Sequence, residues 1–178
     1  WLASTSPGVG CLQETKREDP TIPAMALSAA GYARMPAGQK TENGVAILVK
    51  SGLDATDIAV GIPDFADEQK RVIAATIAGI RVIGVYVPNG QSVDSDKYQY
   101  KLRWYAALAA MLRAELARNP QLAVLGDFNV APEDRDVHDP ALWAGQVLVS
   151  EPERAAFRAL LDVGLGYIRL GQAATTLS

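Results

Sequence analysis

Between Tyr32 and Val87 the chain carries five short strand-like runs: Tyr32–Met35, Gly44–Val49, Ala55–Val60, Arg71–Ile77 and Arg81–Val87. Short apolar runs bounded by turn residues read as strands, and Ala78-Gly79 between the last two marks a hairpin. Hairpins rule out a purely parallel sheet. A long helix then spans about Asp96 to Arg118. Tyr98, Leu102, Tyr105, Ala109, Leu112 and Leu116 recur at spacings of four, three, four, three and four, one face of a 3.6-residue period. Asn119-Pro120 ends it. The apolar run Leu122–Leu125 leads into Gly126-Asp127-Phe128-Asn129. A second helix follows Ser150: Ser150 and Glu153 have capping-box spacing, Pro152 lies in the first turn, and Phe157, Leu160 and Leu161 form the apolar face. Nearer the N-terminus, Trp1–Ser6 reads as the tail of a helix and Gly8–Gln13 as a buried strand. Thr21–Ala30 reads as a short helix with Thr21 as N-cap, Pro23 in the first turn and Gly31 as its stop. The expected class is α/β, in layers rather than as a purely parallel sheet.

No repeat or linker divides the sequence, so residues 1–178 read as a single domain, within the usual range of roughly 100–200 residues. A chain this long buries about 70% of its unfolded surface and needs no staples. Its 49% hydrophobic and 21% charged residues exclude a disordered chain. The one cysteine excludes an intrachain disulfide framework, and Cys11, in Val9-Gly10-Cys11-Leu12, reads as a buried, reduced thiol. No stretch approaches the ~18 apolar residues of a membrane helix. No basic segment precedes an apolar one at the N-terminus, so a cytoplasmic location is the default, although the chain starts at Trp1. A net charge of −3 argues against a general nucleic-acid coat. It does not argue against a nuclease, whose metal-holding carboxylates make the site itself acidic.

Chemistry is expected where polar residues end apolar strands, because the strand fixes position and the following loop opens to a site. Two such places are Leu12-Gln13-Glu14-Thr15-Lys16 and Leu125-Gly126-Asp127-Phe128-Asn129-Val130-Ala131-Pro132. Glu14, Asp127 and Asn129 are hard oxygen ligands of the kind Mg²⁺ prefers. The plainer explanation is that each caps a loop or turn. Tyr86, before the Pro88-Asn89-Gly90 turn, is a third place, where a ring packed with its hydroxyl bonded is the plainer explanation. Lys97, Lys101 and Arg103 open the long helix, whose N-terminus already favours anions. Taken singly each is more simply a solvated surface cation, as are Lys16-Arg17 and Lys40. His138, the one histidine, lies in the polar loop Asp136-Val137-His138-Asp139-Pro140 and reads as exposed. No Walker loop, GxSxG or zinc-spaced Cys/His set occurs.

In combination these segments resemble the exodeoxyribonuclease III and AP endonuclease family, part of the larger endonuclease–exonuclease–phosphatase group. Leu12-Gln13-Glu14-Thr15-Lys16 is similar to that family's LQETK box. In family order follow Gly38-Gln39-Lys40, Asn43-Gly44-Val45-Ala46-Ile47-Leu48, Lys70-Arg71-Val72-Ile73, Tyr86-Val87-Pro88-Asn89-Gly90, Lys97-Tyr98-Gln99-Tyr100-Lys101-Leu102 and Gly126-Asp127-Phe128-Asn129-Val130-Ala131-Pro132. Residues 151–165 resemble its E-R-x-x-x-x-x-L-L-x-x-G-L segment, although Gly166-Tyr167 departs from the apolar-Asp pair usual next. The resemblance covers nearly the whole chain, and the ordered set is far more specific than any one box.

The resemblance implies a DNase I-like fold, a sandwich of two mixed β-sheets flanked by helices, here incomplete. It implies Glu14 as metal ligand, Asp127 in proton transfer and near the metal, Asn129 supporting the same cluster, Tyr86 beside the scissile phosphate, and Asn89 and Lys101 on the substrate. The implied cofactor is Mg²⁺ or Mn²⁺, and the implied partner is double-stranded DNA with abasic sites or 3′ ends, bound by a monomer without a membrane. The implied activity is hydrolysis of DNA phosphodiesters, as a 3′-to-5′ exonuclease and abasic-site endonuclease in base excision repair. The family's first strand with its asparagine, and its final aspartate and Ser-Asp-His box, have no counterpart between Trp1 and Ser178, so this span by itself is expected to be inactive. The alternatives are a sister phosphatase or phosphodiesterase and a non-catalytic remnant that binds DNA or a partner.

Overall fold

Ala78 and Gly79 both take positive φ, 49° and 81°, the left-handed pair that a tight hairpin turn demands. They join β5 (Val72–Ile77) to β6 (Ile80–Tyr86) in antiparallel register, with Ile77 opposite Ile80 and Val72 opposite Val85. The computed structural model describes residues 2–14, 24–37 and 44–164. Before this hairpin lie α1 (Leu2–Thr5), β1 (Val9–Gln13), α2 (Ala24–Ala29), β2 (Tyr32–Ala37), β3 (Val45–Lys50) and β4 (Ala55–Val60). After it come α3 (Asp96–Arg118), β7 (Leu122–Asp127), a 3₁₀ turn at Asp134–Asp136, α4 (Pro140–Trp143) and α5 (Glu151–Leu161). The expectations at Lys16-Arg17, Thr21, Pro23, Gly38–Lys40 and beyond Gly164 lie outside the described residues.

The strands form two sheets. One has the order β1-β3-β2, and the other β4-β5-β6-β7. Among the described residues the strands of the three-stranded sheet pair antiparallel. The four-stranded sheet is mixed, because β7 runs parallel to β6. A parallel neighbour needs a crossover, and α3 supplies it. The described residues divide into two compact units, Trp1–Tyr86 with Ala114–Asp127, and Val87–Arg113 with Phe128–Ser178.

Both sheets belong to the first unit, whose core lies between them. Val45, Ile47 and Val49 of β3 meet Ile73, Ala75 and Ile77 of β5, together with Val82 of β6. The two-residue period puts these side chains on one face of each strand. Ala46 and Leu48 are buried as well, so β3 is covered on both faces and reads as a continuous apolar run. Cys11 is half-buried rather than buried as expected, and the partial burial of its thiol pushes it up to about 11. It also explains Gly84, where a Cβ would come within 2.6 Å of Cys11 Sγ.

In the second unit, α5 opens with the expected capping box between Ser150 and Glu153. Phe157 and Leu160 are buried, and Phe157 meets Phe128 edge to face at 5.4 Å. Tyr98, Tyr105, Ala109 and Leu112 of the stripe read in the sequence are buried, and the buried face of α3 extends beyond that stripe. Leu102 is only half-buried, while Lys101, Trp104, Leu108 and Glu115 are buried beside Tyr105 and Leu112. Paired charges put Lys101 and Glu115 on this face, and an apolar pattern cannot register them. Glu115 binds Arg81 at 2.9 Å within the first unit. No helix among the described residues is long and apolar enough to cross a membrane.

Candidate functional site

Three strands of the first unit end close together, and each ends in a polar residue. Glu14 follows β1 with φ 51°, so the chain turns sharply and leaves the carboxylate exposed. The Tyr86 hydroxyl, at the end of β6, donates to Glu14 Oε1 at 2.8 Å. Asp127 ends β7 directly opposite Tyr86 in the parallel register. Register partners point to the same face of a sheet, so Asp127 shares the face that carries the phenol.

Arg71 clamps Tyr86 from behind. Its guanidinium lies 4.7 Å over the ring centroid and donates through Nη1 to Tyr86 O at 3.1 Å, while Tyr86 N donates to Arg71 O at 2.8 Å. Stacking of this kind fixes the ring plane and aims the hydroxyl. The sequence reading assigned Arg71 no role, although it stood in the Lys70-Arg71-Val72-Ile73 box; only the tertiary stack reveals it.

Burial pushes the Tyr86 phenol from its ordinary 10.0 up to about 12. The hydrogen bond to Glu14 and the negative charge of Glu14 add to this, Arg71 opposes it, and Asp127 adds a smaller upward push. Both carboxylates therefore act on one hydroxyl, and Tyr86 stays a neutral donor across the physiological range. Between pH 10 and 12 the unfolded phenol has lost its proton and the folded one keeps it. The folded state then binds more protons, so this part of the stability is complete below pH 10 and is lost as pH rises through about 12. Tyr86→Phe is expected to make the alkaline decline of stability shallower over that interval in denaturant melts. Identical declines in the two proteins would contradict the arrangement.

The remaining sequence-predicted residues lie in the second unit. Asn129 has φ 46°, a left-handed backbone that asparagine tolerates better than most residues. Its Nδ2 donates to Val87 O at 2.7 Å. Asn89 is exposed, and its Oδ1 accepts from Gln91 N at 3.1 Å. Phe128 is buried, and its carbonyl accepts from Tyr105 Oη at 2.5 Å. Lys101 departs from the expectation of a substrate contact. It is fully buried and donates to Asn89 O at 3.0 Å, to Asn129 O at 2.6 Å and to the Glu153 carboxylate. An enclosed ammonium bonded in this way holds loops rather than phosphates. Lys97 and Arg103 are exposed, as is His138.

The first-unit donors suit a hard cation. Among the described residues no group of three or more His, Cys, Asp or Glu side chains gathers. Glu14 and Asp127 offer two carboxylates, and Mg²⁺ is usually held by one or two carboxylates plus water and substrate phosphate oxygens.

The same ordered segments are found in known proteins. Residues 1–167 match the profile of the Endonuclease/Exonuclease/phosphatase family. Exodeoxyribonuclease III of Haemophilus influenzae is 33% identical over 171 residues, covering 89% of this chain and 63% of that protein. The structure of a 3′ phosphatase from Neisseria bound to a product DNA hairpin superposes with a TM-score of 0.86 at 44% identity, covering 91% of this chain and 63% of that one. The structure of an AP endonuclease from Archaeoglobus fulgidus gives 0.85 at 37% identity, covering 92% and 63%. The chain thus spans just under two thirds of the length of each of these relatives. With the profile running through nearly every strand and helix described above, and with relatives of the exodeoxyribonuclease III and AP endonuclease type, the chain belongs to the Endonuclease/Exonuclease/phosphatase family.

Proposed function

We propose that the whole protein is a divalent-metal-dependent nuclease that hydrolyses DNA phosphodiesters, acting as a 3′-to-5′ exonuclease and at abasic sites in base excision repair. The observation that carries this reading is the convergence of Glu14 and Asp127 on the Tyr86 hydroxyl at three strand ends. Supporting it are the relatives named exodeoxyribonuclease III and AP endonuclease, and a neighbour with a product DNA hairpin. We place the activity in a monomer, in the compartment that holds the DNA, which is the cytoplasm in a bacterium.

Phosphodiester hydrolysis must bring a nucleophile to an anion. Glu14 and Asp127 would hold Mg²⁺ or Mn²⁺, which when bound offsets the charge that builds on the phosphate oxygens. Asp127 orients the attacking water and takes its proton, a role open to an exposed carboxylate at a rigid strand end. Tyr86 is a neutral phenol whose one O–H hydrogen, donated to Glu14 here, would turn to a phosphate oxygen once Glu14 holds the metal, and Arg71 keeps its ring in place for that hydrogen bond. In the second unit, taken by itself, Asn129 and Asn89 carry amides that can bond to phosphate oxygens of the DNA. Abasic sites suit such a mechanism because a sugar without a base costs least to extrude.

The test is cleavage by the full-length protein of three substrates: an abasic-site duplex, a duplex with a recessed 3′ end, and an inositol phosphate. Mg²⁺-dependent cleavage of both duplexes, abolished by a chelator, is expected. Phosphate release from the inositol phosphate with intact DNA would assign the sister phosphatase activity instead, and DNA binding without cleavage would assign a binding remnant.

A further inference from the structure

Lys101 and Glu153 are both fully buried, 52 residues apart in sequence, and paired. Charged side chains seldom go fully inside, and a buried pair contributes little net stability because desolvation offsets its attraction. Its bonds suggest another purpose. An ammonium has three donors, and Lys101 directs them to Glu153 and to the backbone carbonyls of Asn89 and Asn129. Those are the two asparagines assigned to the substrate above.

The surroundings are shaped to this arrangement. Glu153 also accepts from Leu148 N at 3.1 Å, Ser150 N at 3.2 Å and Ser150 Oγ, and Ser150 Oγ pairs with Tyr98 Oη at 2.6 Å. The carboxylate is thereby fixed at the start of α5 and cannot swing away. On the loop side, Gly90 has φ +98°, and a Cβ there would come within 3.1 Å of Lys101 Cδ and 3.2 Å of Val147 Cγ2. The Asn89-Gly90 turn therefore lies directly on the lysine stem. Asn129 holds a left-handed backbone, which asparagine tolerates but which neighbouring bonds must select. Its carbonyl bond to Lys101 and its amide bond to Val87 O provide that.

We propose that Lys101 and Glu153 are positioning residues: a buried ion pair that clamps the two asparagine loops so that their amides meet the phosphodiester in one geometry. The proposal rests on the nuclease reading above. A hydrophobic pair of equal volume could fill the space but could not draw two carbonyls from separate loops onto one point.

The test uses the full-length protein with K101M/E153Q, which removes both charges and keeps an oxygen for the caps. Amide hydrogen exchange is read at Gly90, Gln91 and Val130, with Ile47 and Ile83 as core controls. The expected result is exchange ~10-fold faster at the loops and unchanged in the core. On an abasic duplex, kcat is expected to fall by ~10²-fold with KM nearly constant, the signature of misplaced rather than missing contacts. Wild-type exchange at both loops, or wild-type kcat in a folded variant, would overturn the proposal. If the double variant does not fold, E153Q alone takes its place under the same criteria. A wild-type protein that cleaves no DNA would sink the nuclease reading, whereas the exchange measurement still decides whether the clamp exists.

Discussion

Asp127→Asn in the full-length protein is expected to slow cleavage of an abasic-site duplex by ~10²–10⁴-fold, the usual contribution of a positioned acid–base group, while the fold survives. The size follows from chemistry and the survival from location. Asp127 is exposed at the last residue of β7 and packs in no core, so an isosteric amide removes charge and basicity without opening a cavity. The amide can still orient a water but cannot take its proton. Single-turnover cleavage alongside a denaturant melt separates the two effects. Near-normal turnover would remove Asp127 from the mechanism, and a collapsed melt would show that it is structural.

Gly126→Ala, one residue earlier, should fail in the opposite way. Gly126 has φ +151° and is paired with Val85 across the β6–β7 ladder. A Cβ there would lie 1.9 Å from Val85 O, and a backbone carbonyl in a central strand cannot step aside. The ladder must open at that pair, which displaces Tyr86 and Asp127 together. A loss of roughly 3 kcal/mol or more in a denaturant melt is expected, at or beyond the upper end of ordinary overpacking. Gly79→Ala is the control: its φ of +81° carries backbone strain, but a Cβ there meets nothing within 4 Å, so its loss should be nearer 1 kcal/mol. Equal melts for the two variants would mean that the β6–β7 pairing is not what holds Asp127.

Much of the element order was legible because local signals were strong. Ala78-Gly79 turns the β5–β6 hairpin, and α3 runs from Asp96 to Arg118 as its period and the Asn119-Pro120 stop implied. The spacing of Ser150 and Glu153 became a capping box with both bonds made. Misreadings fell where long-range partners overrode local pattern. β7 extends two residues past Leu125 to Asp127 because β6 supplies a ladder partner that far. The short helix α4, capped by Asp139, starts where the polar loop Asp136–Pro140 ends and had no sequence signal assigned to it.

The candidate site divides along the same line. Glu14, Tyr86, Asp127, Asn129 and Asn89 stood out because polar residues closing apolar strands, or standing in turns beside them, are visible locally, and their ordered boxes carried the family resemblance. Arg71, Glu153 and the true position of Lys101 were not visible. A charged residue reads as surface until its partner is known, and here the partners lie 15 and 52 residues away.

The sequence by itself determined most of the strands, the two main helices, the cap of α5 and the family, because periodicity, turn chemistry and motif order are properties of neighbouring residues. Only the tertiary structure decided that one face of β6 and β7 gathers Tyr86 and Asp127 with Glu14 from the other sheet, and that Lys101 faces inward. Those outcomes depend on register, sheet packing and the cost of burying charge, each of which is settled between residues far apart in the chain.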